Sequence, residues 1–414
     1  MFSIFKKLGP GLLFAGAAIG VSHIVQSTRA GAEFGLGLLW ALLLVHIFKY
    51  PFFQFGAKYA AITGESLIHG YHKLGKGVLI TYFILNIATI FTIQTAVTIV
   101  TAGIANTLFG DISFFNYGNS KVLNIEIWTV IILSICLFIL FAGKYKALDK
   151  IIKIIILMLT LSTLIAVYFA YDNFEQTLNF NQVLPETPIE IAFLVAFMGW
   201  MPAPLDVSVW QSIWAVEKRK ERDSFTPKVA LLDFNIGYIG AMLLGIGFLC
   251  LGYFVMYGSE ATFSTQATLF AGQLIDMYTS NLGQWSYLII GIAVLTTMFS
   301  TTLTTLDASP RAMATSIEVL TNKTFKNGYL FWILTLTFGT LIIFFAFASE
   351  MGTLIKIATI LSFITTPFYA YINYRLICSK HTPEEWRPKI MLRILAWLGI
   401  VFLIGFSVWY LTML

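Results

Sequence analysis

Eleven apolar stretches, each long enough to cross a lipid bilayer, constrain this sequence more than any other feature. The hydrocarbon core of a bilayer is about 30 Å thick and needs roughly 20 apolar residues per helix. Backbone polar groups find no water there, so each span must satisfy its own hydrogen bonds as a helix. The sequence therefore predicts an all-α membrane protein with eleven transmembrane helices at 10–30, 35–60, 78–108, 122–142, 151–171, 189–215, 229–256, 285–306, 329–348, 353–375 and 390–412.

Composition excludes most other classes of protein. Of the 414 residues, 58% are hydrophobic and 11% are charged, whereas about 25% are charged in globular proteins. This argues against a soluble enzyme, a disordered protein and a nucleic-acid binder. The longest polar connections, around 109–121, 172–187, 257–281 and 377–388, are predicted to be loops. No HExxH, GxSxG, P-loop or dinucleotide-binding pattern occurs, so we expect neither an enzyme nor a cofactor.

The positive charges predict an orientation in the cell membrane. All but four of the 26 lysines and arginines fall on one set of connecting faces, if spans alternate from a cytoplasmic N-terminus. Acidic residues such as Asp111, Asp172 and Glu260 fall on the opposite faces. Cytoplasmic loops carry the excess of Lys and Arg in membrane proteins. We therefore expect a multi-pass protein of the cell membrane with a cytoplasmic N-terminus and an extracytoplasmic C-terminus.

Two of the predicted spans are interrupted at their centres by residues that break helices. The first span contains Gly16, Gly20, Ser22, His23 and Gln26, and the sixth contains Gly199, Met201, Pro202, Ala203 and Pro204. Proline removes a backbone donor and clashes with the preceding turn. Broken backbone survives at membrane depth only where it is buried in protein or lines a wet cavity. The alternative is a pair of packing kinks, because Gly and Pro are common in membrane helices.

The two breaks occupy corresponding places in the chain. Each begins a group of five spans, and an odd repeat length places the two groups in opposite orientations. Matching discontinuous helices in inverted repeats indicate a substrate site near the midplane of a secondary transporter. We therefore expect a first repeat at 1–171 (spans 1 to 5), a second at 172–376 (spans 6 to 10), and a loop with span 11 at 377–414.

The predicted substrate site contains residues from both breaks. The candidates are Gly20, Ser22, His23, Gln26, Met198, Met201, Ala203 and Asp206. Within this set, His23, Met201 and Asp206 offer an imidazole, a thioether and a carboxylate, which suit a transition-metal ion. Two other interpretations stay open. His23 and Asp206 could pair with each other or hold an organic solute, or His23 could bond to backbone and Asp206 could cap the restarted helix.

Ionisable and polar residues elsewhere in the spans are candidates for gating or coupling. Lys49 is expected to snorkel towards the interface or to form a gate ion pair. Asp233 is a candidate for an inner-gate network. Asp307 is expected to pair with Arg311 one turn later, as a gate or as a simple ion pair at a helix end. The last candidate is Gln94, which lies in the third span.

Several motifs resemble those of the NRAMP family of divalent-metal transporters. They are the Gly9-Pro10-Gly11 segment, Ala30 to Gly35 running into Trp40, Thr63 to Leu67, Met201-Pro202, and Leu361-Ser362-Phe363 followed by Pro367. The resemblance implies a LeuT-type inverted 5+5 repeat plus one terminal helix. It also implies uptake of manganous or ferrous ion with protons.

This sequence departs from the family pattern at the substrate site. Gly20 to His23 stand where the family has Asp-Pro-Gly-Asn, and Ala203 stands where it has histidine after Met-Pro. The glutamine of the tenth helix corresponds to Ala358, and the acidic pair of the third helix corresponds to Gln94 and Val97. We therefore expect weak or no proton drive, because Gln94 and Val97 cannot titrate.

Three functions follow from these observations. The first is a symporter-like secondary transporter of a divalent metal ion, with protons or Na⁺ as a possible coupling ion. The second is a transporter of a small, amino-acid-like organic solute on the same fold. The third is a membrane sensor without transport. A sensor usually carries a soluble output domain, and none is predicted here.

Overall fold

The computed structural model of the chain describes residues 9–110, 122–221, 225–258, 263–264, 267–347 and 351–412. All regular structure in these ranges is helical. The α-helices in chain order are α1 Pro10–Ala18, α2 Thr28–Phe34, α3 Leu39–Thr63, α4 Leu67–Leu74, α5 Lys76–Phe109, α6 Val122–Asp172, α7 Pro188–Trp200, α8 Val207–Glu221, α9 Pro227–Met256, α10 Ala267–Leu282, α11 Tyr287–Thr321, α12 Gly328–Phe347, α13 Met351–Ile377 and α14 Ile390–Leu411.

The described helices confirm an integral, multi-pass membrane protein. Ten candidate spans are long and apolar enough to cross a bilayer within these ranges. The predicted fourth and fifth spans both lie in α6, as the apolar segments Ile125–Ala142 and Lys153–Asp172 of one helical element. The predicted sixth span is divided between α7 and α8.

Two predictions on the second half of the chain were wrong in detail. The predicted loop at 257–281 contains helix α10, which packs on α5 and α11 and buries Phe270, Leu274 and Ile275. Its polar positions lowered its hydropathy without preventing a helix. The predicted span at 285–306 continues to Thr321, because Pro310 lies inside α11 without ending it. Among the charges used for the orientation, Lys6, Lys7, Asp111, Lys121, Arg222 and Glu260 lie outside the described residues.

Helix α9 packs against both halves of the broken first span so closely that their backbones are in contact. A Cβ added to Gly237 would lie 2.0 Å from the carbonyl oxygen of Gly11, and one added to Gly252 would lie 2.1 Å from that of Thr28. Glycines at such crossings let membrane helices approach closely. The two half-helices are therefore held against one helix on either side of the break.

Candidate functional site

The first span is interrupted just after α1. Helix α1 ends at Ala18, Ile19 and Gly20 are not helical, and a π-helix covers Val21–Ser27 before α2 begins. The non-helical part of the first span is therefore limited to Ile19 and Gly20. A Cβ on Gly20 would lie 2.7 Å from the Thr301 hydroxyl oxygen, so glycine permits this close approach to α11. Ser22, His23 and Gln26 lie on the π-helix and are buried.

The sixth span is interrupted over a longer stretch. Helix α7 ends at Trp200, and residues 201–206 are not helical before α8 begins at Val207. The Ser22 hydroxyl lies 3.5 Å from the carbonyl oxygen of Pro202, so the two breaks meet at the centre of the fold. This arrangement agrees with the predicted pairing of the two interrupted spans.

Lys49 fills the break in the sixth span. Its side chain is fully buried, and its ammonium nitrogen lies 2.9, 2.7, 3.0 and 3.4 Å from the carbonyl oxygens of Met198, Gly199, Met201 and Ala203. These carbonyls lie at and just beyond the end of α7, where helical partners are missing. The expectation that Lys49 snorkels to the interface was therefore wrong. The break is therefore already occupied by the amino group of Lys49.

His23 points away from the sixth span. Its Nε2 donates to the carbonyl of Ala241 on α9 at 2.9 Å, and its Nδ1 lies 2.7 Å from the Ser22 hydroxyl. Both ring nitrogens are thus engaged within the protein. This agrees with the interpretation in which His23 bonds to backbone. It leaves neither nitrogen free to bind a metal ion in this arrangement.

Asp206 is buried at the start of α8, and one of its carboxylate oxygens has no hydrogen-bond partner. It lies close enough to Lys49, Tyr82 and Tyr369 to interact electrostatically with them. The hydroxyls of Tyr82 and Tyr369 are likewise buried without partners. Among the described residues, no group of three or more His, Cys, Asp or Glu side chains is placed to hold a metal ion. No hydrogen bond joins His23, Met201 and Asp206 there.

A small cavity lies where the breaks meet α5 and α11. Its walls include Ala18 and Ser22 from the first span, Val97 from α5, Trp200 and Pro204 from the sixth, and Thr301 and Thr305 from α11. Its volume is about 20 Å³, which is room for roughly one water molecule. The cavity is therefore too small for a larger solute in this conformation.

A second cavity of about 240 Å³ lies between the π-helix, α7 and α13. Gln26, Arg29, Phe193 and Lys356 are among its lining residues. The amide oxygen of Gln26 is buried without a partner. Gln26 therefore lines this second cavity and is not among the residues that line the cavity between the breaks.

The remaining candidates connect helices. Gln94 donates to the Thr98 hydroxyl and to the carbonyl of Thr302 at 3.2 and 3.3 Å, which links α5 to α11. Asp233 accepts from the backbone N–H groups of Gly9 and Gly11 at 3.0 and 2.7 Å. A carboxylate at a helix N-terminus satisfies free donors and stabilises the helix dipole. Asp233 therefore joins α9 to the start of α1.

Asp307 forms the predicted pair with Arg311. Arg311 Nε lies 2.9 and 2.8 Å from the two carboxylate oxygens, and the Tyr329 hydroxyl donates to one of them at 2.8 Å. The pair is not at a helix end, because α11 continues to Thr321. It connects α11 to α12 instead.

We expect Tyr329→Phe to lower the free energy of unfolding by about 1–2 kcal/mol, because it removes one hydrogen bond to a buried carboxylate. Thermal unfolding of the purified protein in detergent measures this change. Tyr371→Phe is the matched control, because Tyr371 is 45% exposed on α13. Equal melting temperatures for the two variants would contradict the assigned contact.

The sequence analysis missed the contribution of α11 to the first break. The hydroxyls of Ser300 and Thr301 face the carbonyl of Gly16 at 3.4 and 3.2 Å, and Thr301 also faces that of Ile19 at 3.3 Å. The sequence does contain an indication of this contact. Hydroxyl residues cluster in an otherwise apolar span, as Ser300-Thr301-Thr302 followed by Thr304-Thr305.

Two broken helices that meet at the centre of the fold, with helices α5 and α11 beside them, are typical of membrane transport proteins with inverted repeats. Comparison with solved structures supports this fold. The crystal structure of the Eremococcus coleocola manganese transporter with an aromatic bis-isothiourea substituted compound aligns with a TM-score of 0.72 and 14% identity, covering 98% of this chain and 86% of the other. MhsT in complex with L-phenylalanine aligns with a TM-score of 0.63 and 12% identity, covering 96% and 98%. Both likenesses show the fold, which is of the LeuT type.

Sequence comparison gives the family. Residues 11–413 match Nramp, the natural resistance-associated macrophage protein-like family. The chain belongs to this family, and its class is therefore a transporter and not an enzyme. The protein named Uncharacterized protein PM0681 of Pasteurella multocida (strain Pm70) is 34% identical over 420 residues, covering 99% of this chain and 93% of that protein.

Proposed function

We propose that the chain is a secondary transporter that works by alternating access, with its substrate bound where the first and sixth spans are broken. The observation that carries this proposal is the meeting of the two breaks beside a small central cavity. The halves 1–171 and 172–376 would form the inverted repeats, with the N-terminus in the cytoplasm. Movement of the two broken spans relative to α5 and α11 would open the cavity to each side in turn.

A divalent metal ion is the first candidate substrate, because the chain belongs to the Nramp family and one similar structure is that of a manganese transporter. Asp206 is the charged ligand that this candidate requires. Its unpartnered carboxylate oxygen supports such a role. Met201 would add its thioether, which suits softer transition ions.

A small organic solute is the second candidate, and the chemistry of the break supports it. The Lys49 ammonium already binds the carbonyl oxygens of Met198, Gly199 and Met201. A divalent cation would have to displace it or bind beside its positive charge. A carboxylate or a zwitterion would instead be attracted to it.

Uptake into proteoliposomes distinguishes the two candidates. Vesicles loaded with a metal-quenched dye report manganese entry, and counterflow of labelled amino acids reports an organic solute. If the substrate is a divalent metal ion, Asp206→Asn should lower manganese uptake at least tenfold. Asp276→Asn on α10 should leave manganese uptake unchanged. Counterflow of an amino acid without manganese entry would rule out the metal ion as substrate and support the organic solute. Neither activity in folded protein would contradict the transporter proposal and favour a sensor.

A further inference from the structure

An oxygen-lined site lies between the end of α1 and the middle of α11, next to the central cavity. The Thr301 hydroxyl oxygen lies 3.2 Å from the carbonyl oxygen of Gly16, and 3.3 Å from those of Ile19 and Thr297. The Ser300 hydroxyl oxygen lies 3.4 Å from the carbonyl of Gly16 and 3.0 Å from that of Thr297. Both side chains are buried. Two hydroxyls therefore share three carbonyl oxygens.

These contacts differ from those of neighbouring hydroxyls on the same helix. Thr297 and Thr304 donate to carbonyls of their own helix at 2.7 and 2.8 Å, which is the usual O–H···O distance. Thr301 has one proton, yet it faces three carbonyls at distances that are all long for such a bond. Two hydroxyl protons cannot satisfy the lone pairs of three carbonyls, so the cluster has an excess of acceptors.

The backbone at the break explains why these carbonyls are available. The N–H of Gly20 donates to the carbonyl of Ala18, and the N–H groups of His23 and Ile24 both donate to that of Gly20. The carbonyls of Gly16 and Ile19 accept from hydroxyls of α11 instead. Unwound carbonyls and half-helix C-terminal ends are the groups that coordinate coupling cations in transporters with broken helices.

We propose that the carbonyl oxygens of Gly16, Ile19 and Thr297, with the hydroxyls of Ser300 and Thr301, form a sodium site. A cation held at about 2.4 Å from its ligands, as Ca²⁺ is, has neighbouring oxygens about 3.4 Å apart. Na⁺ is of nearly the same size, and the hydroxyl-to-carbonyl distances of 3.0 to 3.4 Å in this cluster are close to that value. The five ligands carry no formal negative charge, whereas divalent cations rely on carboxylates. The set therefore suits a small monovalent ion, and K⁺ needs a wider shell.

Bound sodium would join the C-terminal end of α1 to α11 and hold the broken span against the rest of the protein. The ion would thus favour one conformation, which is how a coupling ion biases alternating access. Binding itself does not depend on the proposed transport function. Only the use of a sodium gradient rests on it.

Thermal unfolding of the purified protein at constant ionic strength tests the site. A ligand that binds only the folded state raises the melting temperature as its concentration increases. We expect a saturable increase in NaCl and none in KCl or choline chloride. Thr301→Val keeps the shape of the side chain and removes one ligand, so it should abolish the sodium-dependent increase. Thr304→Val, whose hydroxyl bonds within its own helix, should retain it.

Several results would overturn the proposal. One is equal melting temperatures for the wild type in Na⁺, K⁺ and choline. Another is a sodium-dependent increase that Thr301→Val leaves intact. Should Thr301→Val fail to fold, Ser300→Ala takes its place, and an unchanged sodium response in that variant would equally contradict the site. Sodium binding without uptake of any solute would leave the site established and contradict only the proposed transport.

Discussion

Lys49→Met is expected to abolish the folded, active protein. The substitution keeps most of the side-chain volume but removes the donors for the carbonyls of Met198, Gly199 and Met201. Each buried polar group left without a partner costs about 1–3 kcal/mol, so the three carbonyls together cost about 3–9 kcal/mol. Net stabilities of proteins are of similar size, about 5–15 kcal/mol. The yield of monodisperse protein in detergent and its melting temperature measure the loss.

Chemical rescue distinguishes the missing cation from a general packing defect. Lys49→Ala leaves space beside the break, and methylammonium should raise its melting temperature, while the larger choline should not. Lys58→Met removes a lysine from the same helix α3 that donates no hydrogen bond to the sixth span, so it should behave like the wild type. A Lys49→Met protein as stable as the wild type would show that the ammonium does not stabilise the break.

Gly237→Ala is expected to have the second largest effect. The added Cβ would lie 2.0 Å from the carbonyl oxygen of Gly11 and 2.6 Å from its carbonyl carbon. Backbone on both sides cannot move aside as a flexible side chain can. Overpacking of a well-packed contact typically costs 1–3 kcal/mol, and we expect more than about 3 kcal/mol here. Helix α1 should separate from α9, with a lower melting temperature and loss of transport.

Gly240→Ala is the matched control on the same helix. A Cβ at Gly240 meets nothing within 4 Å. Alanine is favoured over glycine in a helix interior by about 1 kcal/mol, so this variant should be as stable as the wild type or slightly more stable. A Gly237→Ala protein that matched Gly240→Ala in melting temperature would contradict the close packing of α1 and α9.

Hydropathy predicted the architecture because the bilayer allows few solutions. Apolar length alone located the spans, and Pro202 and Pro204 located the break in the sixth one. The family resemblance rested on motifs such as Met201-Pro202, and the match over residues 11–413 confirmed it. The short helix α10 was missed because its polar positions give this stretch the low hydropathy of a loop.

Contacts between side chains and segments that are distant in the chain could not be predicted from the sequence. Nothing local to Lys49 indicates that carbonyls about 150 residues later would surround its ammonium group. The direction of His23 depends on the close approach of α9, which brings the carbonyl of Ala241 within 2.9 Å. The residue types of the site were predicted from the breaks, but their partners depend on how the helices pack. Substrate binding by Ser22, Asp206 and the other candidates stays a prediction.

The central claim is that the cavity between the two breaks opens to each side of the membrane in turn. Thr305 lines this cavity, and Thr304 beside it on α11 does not. In a background without the three native cysteines, Thr305→Cys should react with a membrane-impermeant thiol reagent in both right-side-out and inside-out vesicles, whereas Thr304→Cys should react in neither. Reaction of Thr305→Cys from one side only, or from neither, would contradict alternating access through these breaks.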